Sequence, residues 1–267
     1  MTGYLRRQYT RSSHGSKCEG QLIRGGIMKA EESYVINISD LSIRYGMNDI
    51  LRNIHLSISE GEFIGIVGLS GSGKTSFLNA IAGFIPYTGN ISVQGKIGYM
   101  SQNYGIFPWM KVKDNIGFGI EGRNSQQKER RISELLKEID MELLGNRYPS
   151  ELSGGQIQRV ALAQTLASDP QIILADEPYS ALDQHTRGRM QEWLLTILSS
   201  RKKTTLFVTH NIEEAVFLCD KIIVIKDGTF AYTFHIPFTS PRKQSLKFEP
   251  EFNLLQKNIL ESLSRSR

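Results

Sequence analysis

The run Gly68-Leu69-Ser70-Gly71-Ser72-Gly73-Lys74-Thr75 combines three glycines, a lysine and hydroxyls at a spacing suited to gripping a polyphosphate. Glycines let successive backbone N–H groups turn inward around phosphate oxygens, and a helix starting at the end of such a loop adds partial positive charge. In this pattern Lys74 reaches the β and γ phosphates of a nucleotide, and the Thr75 hydroxyl ligates Mg2+, with Ser76 beside it. Two further segments could do chemistry. Gln171-Ile172-Ile173-Leu174-Ala175-Asp176-Glu177-Pro178 reads as a buried strand ending in two acids. Successive residues at a strand end point different ways, so Asp176 can orient the Mg2+ shell while Glu177 polarises an attacking water. Taken alone, paired acids after a strand are more often a helix cap; the phosphate loop tips the balance toward catalysis.

Leu152-Ser153-Gly154-Gly155-Gln156 opens a helix through Val160, Ala161, Leu162, Thr165 and Leu166. Ser153 can donate to phosphate, and Gly154 and Gly155 permit close approach, so this is a second anion site. One nucleotide does not need two such sites from one subunit. The economical reading is that Ser153 to Gln156 serve a nucleotide held by a partner chain.

These residues need rigid elements to position them, and the chain supplies them. Short β-branched runs at Tyr34 to Ile38, Phe63 to Val67, Ile97 to Met100, Ile172 to Ala175, Thr205 to Thr209 and Ile222 to Ile225 predict strands. Ser76 to Ala82 predicts a helix that Gly83 can cap. Ile132, Leu135, Leu136 and Ile139, and again Met190, Trp193, Leu194, Ile197 and Leu198, fall at helical spacing. Strands alternating with helices imply an α/β fold with a mostly parallel sheet covered on both faces. Asp227-Gly228 predicts a hairpin turn near the end of the core.

The net charge of +5 is unevenly placed, because five basic residues and one acid precede Met28 and leave about +1 for the rest. That gives no electrostatic case for a nucleic-acid partner. No apolar stretch approaches the roughly 18 residues of a membrane span. Cys18 and Cys219 have neither metal-ligand nor redox spacing. Residues 1–33 form a tail whose Arg-, Ser- and Gly-rich part, residues 1–27, lacks periodicity and is expected to be disordered or to precede a true start at Met28. Residues 236–267, with three prolines ahead of a helix-like Glu251 to Leu263, form a C-terminal extension.

Taken in order, these segments resemble the ATP-binding subunit of an ATP-binding cassette (ABC) transporter over residues 34–235: the Walker A loop at 68–75, Gln102 of the Q-loop, the LSGGQ signature at 152–156, the Walker B strand at 172–177, the D-loop Ser180-Ala181-Leu182-Asp183 and the switch residue His210. LSGGQ is the most specific of these motifs. The resemblance implies a P-loop NTPase fold with an antiparallel β subdomain and an inserted helical subdomain at about 103–160, and it implies ATP with Mg2+. It assigns Tyr45 to stacking on adenine, Gln102 to Mg2+ and γ-phosphate sensing, and His210 to the γ-phosphate and the water beside Glu177. It places Asp183 across a dimer interface. Gln164 stands where the family often has arginine, away from the chemistry.

The family's working unit is a head-to-tail pair enclosing two ATP, here expected to be a homodimer, with separate permease subunits and, indirectly, an extracytoplasmic solute-binding protein. That implies a peripheral place on the cytoplasmic face of the membrane. Phe107-Pro108-Trp109 with Val112 and Asp114-Asn115, Ile212-Glu213-Glu214-Ala215 after His210, and a tail carrying Phe252 resemble the nitrate, sulfonate and taurine importers, and importers of pyrimidine precursors and riboflavin are similar, so the resemblance leaves the solute open. Trp109 is expected either to form a socket for a permease helix or to be core. Exporter subunits and non-transport ABC ATPases are the alternatives; the latter usually need coiled-coil insertions or tandem cassettes, for which 267 residues leave no room.

Overall fold

Alternation of apolar residues explains the first strand, and so does its interruption. In the computed structural model, which describes residues 34–179 and 183–264, β1 (Tyr34–Tyr45) buries Ile36 and Ile38 and then, one residue out of phase, Leu41 and Ile43. Asp40 at φ 54° is the extra residue that resets the phase, so all four side chains face inward. The strand β2 (Asn48–Ser59) does the same around Asn53, at φ 49°, burying Leu51, Ile54 and Ile58. With β4 (Thr88–Val93) they form a three-stranded antiparallel sheet in the order β2-β1-β4.

The second sheet has six strands. β3 (Phe63–Gly68), β5 (Ile97–Met100), β6 (Ile172–Asp176), β7 (Thr204–Thr209) and β8 (Lys221–Lys226) run parallel, and β9 (Thr229–His235) closes the edge antiparallel, in the order β5-β6-β7-β3-β8-β9. Of the runs predicted as strands, Tyr34 to Ile38 lies in β1 and the other five lie in β3, β5, β6, β7 and β8. The Asp227-Gly228 turn joins β8 to β9 with both residues at positive φ, the geometry of a type I′ hairpin. Strands β3, β6 and β7 are buried along their whole length because both faces are covered. Ile64, Ile66, Leu174 and Val208 pack toward the antiparallel sheet and α1 (Lys74–Ile81), whereas Phe63, Val67, Ile173 and Phe207 pack toward the remaining helices.

Between β5 and β6 the chain builds a helical layer from α2 (Val112–Phe118), α3 (Ser125–Glu138) and α4 (Gly154–Ala167). Leu135, Leu136 and Ile139, predicted at helical spacing, share a core there with Ile116 and Val160, and Ile132 packs against it. Beyond β6 come α5 (Gln184–Arg201) and α6 (Ile212–Leu218). Residues 236–264 supply a short 3-10 turn, Gln244–Phe248, and α7 (Pro250–Ser264). Phe252 and Ile259 of α7 are sealed inside the main core, and Arg242, 4% exposed, hydrogen-bonds the carbonyls of Phe217 and Cys219 at 3.0 and 2.9 Å. The predicted tail, residues 1–33, and D-loop residues Ser180, Ala181 and Leu182 lie outside the described residues.

Candidate active site

The carboxyl ends of the parallel strands gather the candidate residues, as an open α/β sheet requires. β3 runs into the glycine loop, where Gly71 and Gly73 adopt φ of 77° and 97°. A Cβ at Gly68 would lie 2.6 Å from Ser72 Oγ, and one at Gly73 would lie 2.8 Å from Ile50 Cγ2, so neither position admits a side chain. Gly73 caps α1. Lys74 follows, 6% exposed, with its ammonium turned back to donate to the carbonyls of Gly68 (3.0 Å) and Leu69 (2.9 Å). Burial lowers its pKa; the negative charges of Glu177 and Asp176 oppose that shift. The buried Ser72 hydroxyl has no hydrogen-bond partner among the described residues. Leu69 and Ser70 at the tip are exposed.

Thr75 Oγ1 donates to Asp176 Oδ1 at 3.2 Å, which joins the phosphate loop to the end of β6. Burial pushes the Asp176 carboxyl above the usual carboxylate range, against the Thr75 hydrogen bond and the Lys74 charge. The Thr75 hydroxyl and the buried Asp176 carboxylate are hard oxygen donors that fit Mg2+ bound mainly through a nucleotide's phosphates. Glu177 points elsewhere. Its backbone, at φ 45°, donates to the carbonyl of Val208, and Oε2 sits 2.9 Å from His210 Nδ1 at the end of β7. The two adjacent acids therefore face two different partners. His210 is largely exposed, and its imidazole opens to the solvent side of Glu177.

Tyr45, half exposed at the end of β1, places its hydroxyl 3.5 Å from Ser76 Oγ. Gln102 is exposed just beyond β5. Ser153 begins α4 with a capping box: its N–H donates to Gln156 Oε1 at 2.9 Å, and its Oγ accepts from the Gln156 N–H at 3.4 Å. Gly154 is exposed, and a Cβ at Gly155 would lie 2.8 Å from Thr186 Cγ2. Ser153, Gly155 and Gln156 line an open pocket with Asp140, Arg159 and Arg189, into which no residue of the phosphate loop projects. The structure thus brings together Lys74, Thr75, Asp176, Glu177 and His210 and leaves the signature residues apart from them. Asp183 Oδ1 accepts from the Thr186 N–H at 3.0 Å and so holds the start of α5.

One residue at the site carries no mark of its role in the sequence. Tyr99 of β5 donates to Asn79 Oδ1 at 2.9 Å, and burial together with the nearby Asp176 charge pushes its pKa up to about 12. Its only signal is a tyrosine in an apolar strand, and that strand's neighbour was not knowable from spacing.

The ABC transporter family profile matches residues 51–180. The taurine import ATP-binding protein TauB of Escherichia coli (strain K12) is 36% identical over 251 residues, spanning 87% of this chain and 98% of that protein. The chain belongs to the ABC transporter ATP-binding family. Among solved structures, a dimeric post-hydrolysis ATP-binding cassette bound to ADP and Pi is 31% identical, covers 76% of this chain and all of its own, and superposes with a TM-score of 0.66. The fold is also that of cbiO1 from Clostridium perfringens, at 23% identity, a TM-score of 0.72 and coverage of 85% and 96% of the two chains. This ABC cassette is an ATP-binding, ATP-hydrolysing subunit. Among its described residues no helix is long and apolar enough to cross a membrane.

Proposed function

We propose that this cassette energises import of a small sulfonate-like solute, working as a head-to-tail homodimer under separate permease subunits on the cytoplasmic face of the membrane. The taurine importer relative supports the solute class and the direction of transport. The observation that carries the catalytic reading is the division of labour between adjacent acids: Asp176 meets Thr75 at 3.2 Å, and Glu177 meets His210 at 2.9 Å.

Lys74 leaves its loop carbonyls for the β and γ phosphates, while backbone N–H groups of Gly68 to Gly73 surround them. Thr75, Asp176 and Gln102 would hold Mg2+, whose chemistry when bound is to neutralise charge on the phosphate oxygens. Glu177 accepts a proton from the attacking water and His210 keeps that water and the γ-phosphate in line. Ser76 supports the phosphate end and Tyr45 stacks on adenine. Ser153, Gly154, Gly155 and Gln156 grip the γ-phosphate of ATP in the opposing subunit, and Asp183 crosses between the two. Loss of the γ-phosphate removes those contacts and loosens the pair.

Phe107, Trp109 and Phe118 form an aromatic cluster, with Trp109 72% and Phe118 55% exposed, and Phe107 centred 5.5 and 4.7 Å from them. That patch, close after Gln102, is a socket for a permease helix. A solute-binding protein contributes only through the permease, and nucleic acid has no part.

Glu177→Gln keeps size and packing but cannot take the proton. ATP affinity should persist, turnover should fall by about two orders of magnitude or more, and an ATP-bound dimer should accumulate in gel filtration. Unchanged turnover would remove Glu177 from the mechanism.

A further inference from the structure

Directly behind His210 the cassette buries a carboxylate that the hydrolytic reading does not use. Glu214, in the first turn of α6, is 4% exposed. Its Oε2 accepts from Thr209 Oγ1 at 2.8 Å, and its Oε1 lies 3.4 Å from Arg187 Nε. Its backbone N–H donates to Asn211 Oδ1 at 3.3 Å, while the Asn211 N–H donates to Thr209 Oγ1 at 3.0 Å. The turn 209–211 is therefore tied on both sides of the imidazole it carries.

Arg187 arrives from a different element. It stands in the first turn of α5, where its N–H donates to the carbonyl of Asp183 at 2.9 Å. Glu214 thus lies between the turn bearing His210 and the helix that follows Asp183. The groups facing it are Arg187 from α5, His210 and Thr209 from the preceding turn, Lys247 from the 3-10 turn, the Tyr179 hydroxyl and the buried Cys219 thiol. Burial pushes its pKa up, and the Thr209 hydroxyl and Arg187 work against that. Apolar residues would fill such a site at lower cost, as Ala215, Val216 and Phe217 do at the neighbouring fully buried positions of α6.

We propose that Glu214 is a positioning residue: through Thr209 it fixes the turn that presents His210 to Glu177, and through Arg187 it couples that turn to the helix following Asp183. The inference rests on the roles proposed for Glu177 and His210. Because it acts on geometry at the reacting end, its loss slows hydrolysis and leaves nucleotide binding alone.

The test is a double-mutant cycle on the intact protein. Thr209→Val removes the hydroxyl at constant shape, and Glu214→Gln keeps an acceptor for Thr209 while dropping the charge opposite Arg187. Thr209→Val, which loses the bonds to Glu214 and to the Asn211 N–H, and Glu214→Gln, which loses the charge opposite Arg187, should each lower kcat for ATP by about tenfold, with KM changed less than about twofold. Thr209→Ser should recover most of the rate. In a His210→Ala background, Thr209→Val should add less than about twofold, because its route to the chemistry is already cut. A full tenfold further loss in that background, or a rise in KM with kcat unchanged, would overturn the proposal. Should Thr209→Val fail to fold, the same cycle with Glu214→Gln decides the matter by the same criteria. Wild-type turnover in His210→Ala alone would instead strike down the catalytic reading beneath it.

Discussion

Asp176 must carry charge where the surroundings disfavour it. Burial raises its pKa, and Thr75 and Lys74 only partly offset that. Between the ordinary carboxylate value of 3.8 and the raised one, the native state holds a proton that the unfolded chain has lost. This contribution to stability is present below that window and lost as pH rises through it; Glu214, raised by burial in the same way, has the same sign. Asp176→Asn should therefore make the nucleotide-free protein more stable at pH 7, by about 0.5–2 kcal/mol, while ATP turnover disappears. Thermal melts in chelator from pH 7 down to about 4 check this: the advantage should shrink with falling pH, and an Asn variant no more stable at pH 7 would mean that pairing with Lys74 outweighs burial. Residues of this kind were legible in the sequence because their chemistry is contiguous. Lys74 and Thr75 share one loop, and Asp176 and Glu177 end one strand. The roles of Tyr99 and of Glu214, which the sequence marks only as part of an importer-like segment, were not, since the meaning of each comes from a neighbour supplied by another element: Asp176 across the β5–β6 pair, and Arg187 on α5.

Among the elements, the parallel strands could be read because full burial leaves uninterrupted β-branched runs such as Ile172-Ile173-Leu174. The antiparallel strand β2 could not. Its buried Leu51, Ile54 and Ile58 fall at spacings of three and four, which mimic a helix, because the bulge at Asn53 shifts the alternation. In β1 the alternation is readable only as far as Ile38 for the same reason, because Asp40 breaks the period two residues later. The C-terminal helix was visible in outline, but its attachment was not. Lys247 bonds Gln191 and Glu213 at 2.9 and 2.7 Å, and Gln244 bonds Gly188 and Glu192, so the 3-10 turn clips α5 to α6. Phe252, 1% exposed, anchors α7 beside it. Phe252→Ala should cost about 3–5 kcal/mol, read from the urea midpoint. A loss below about 1 kcal/mol would make the helix an appendage rather than part of the core.

At the scale of the whole molecule, the phosphate loop and the signature loop are set apart, and the proposed head-to-tail pairing would let both touch one nucleotide. Lys74→Ala and Ser153→Arg should each abolish hydrolysis in their own homodimers. Mixed together, half the pairs would be hybrids with one intact composite site of two, so about a quarter of wild-type turnover should return. No recovery after subunit exchange has been demonstrated by tag pull-down would argue that each chain completes its own site. The aromatic patch on the helical layer bears on observation as well as on docking. The chain has two tryptophans: Trp109 stands in solvent, and Trp193 lies partly buried with the Arg159 guanidinium 5.2 Å over its ring, near the signature helix. The unlabelled protein thus carries two native fluorophores in different settings, one in solvent at the proposed permease contact and one packed under Arg159 of the helix that begins with the signature residues.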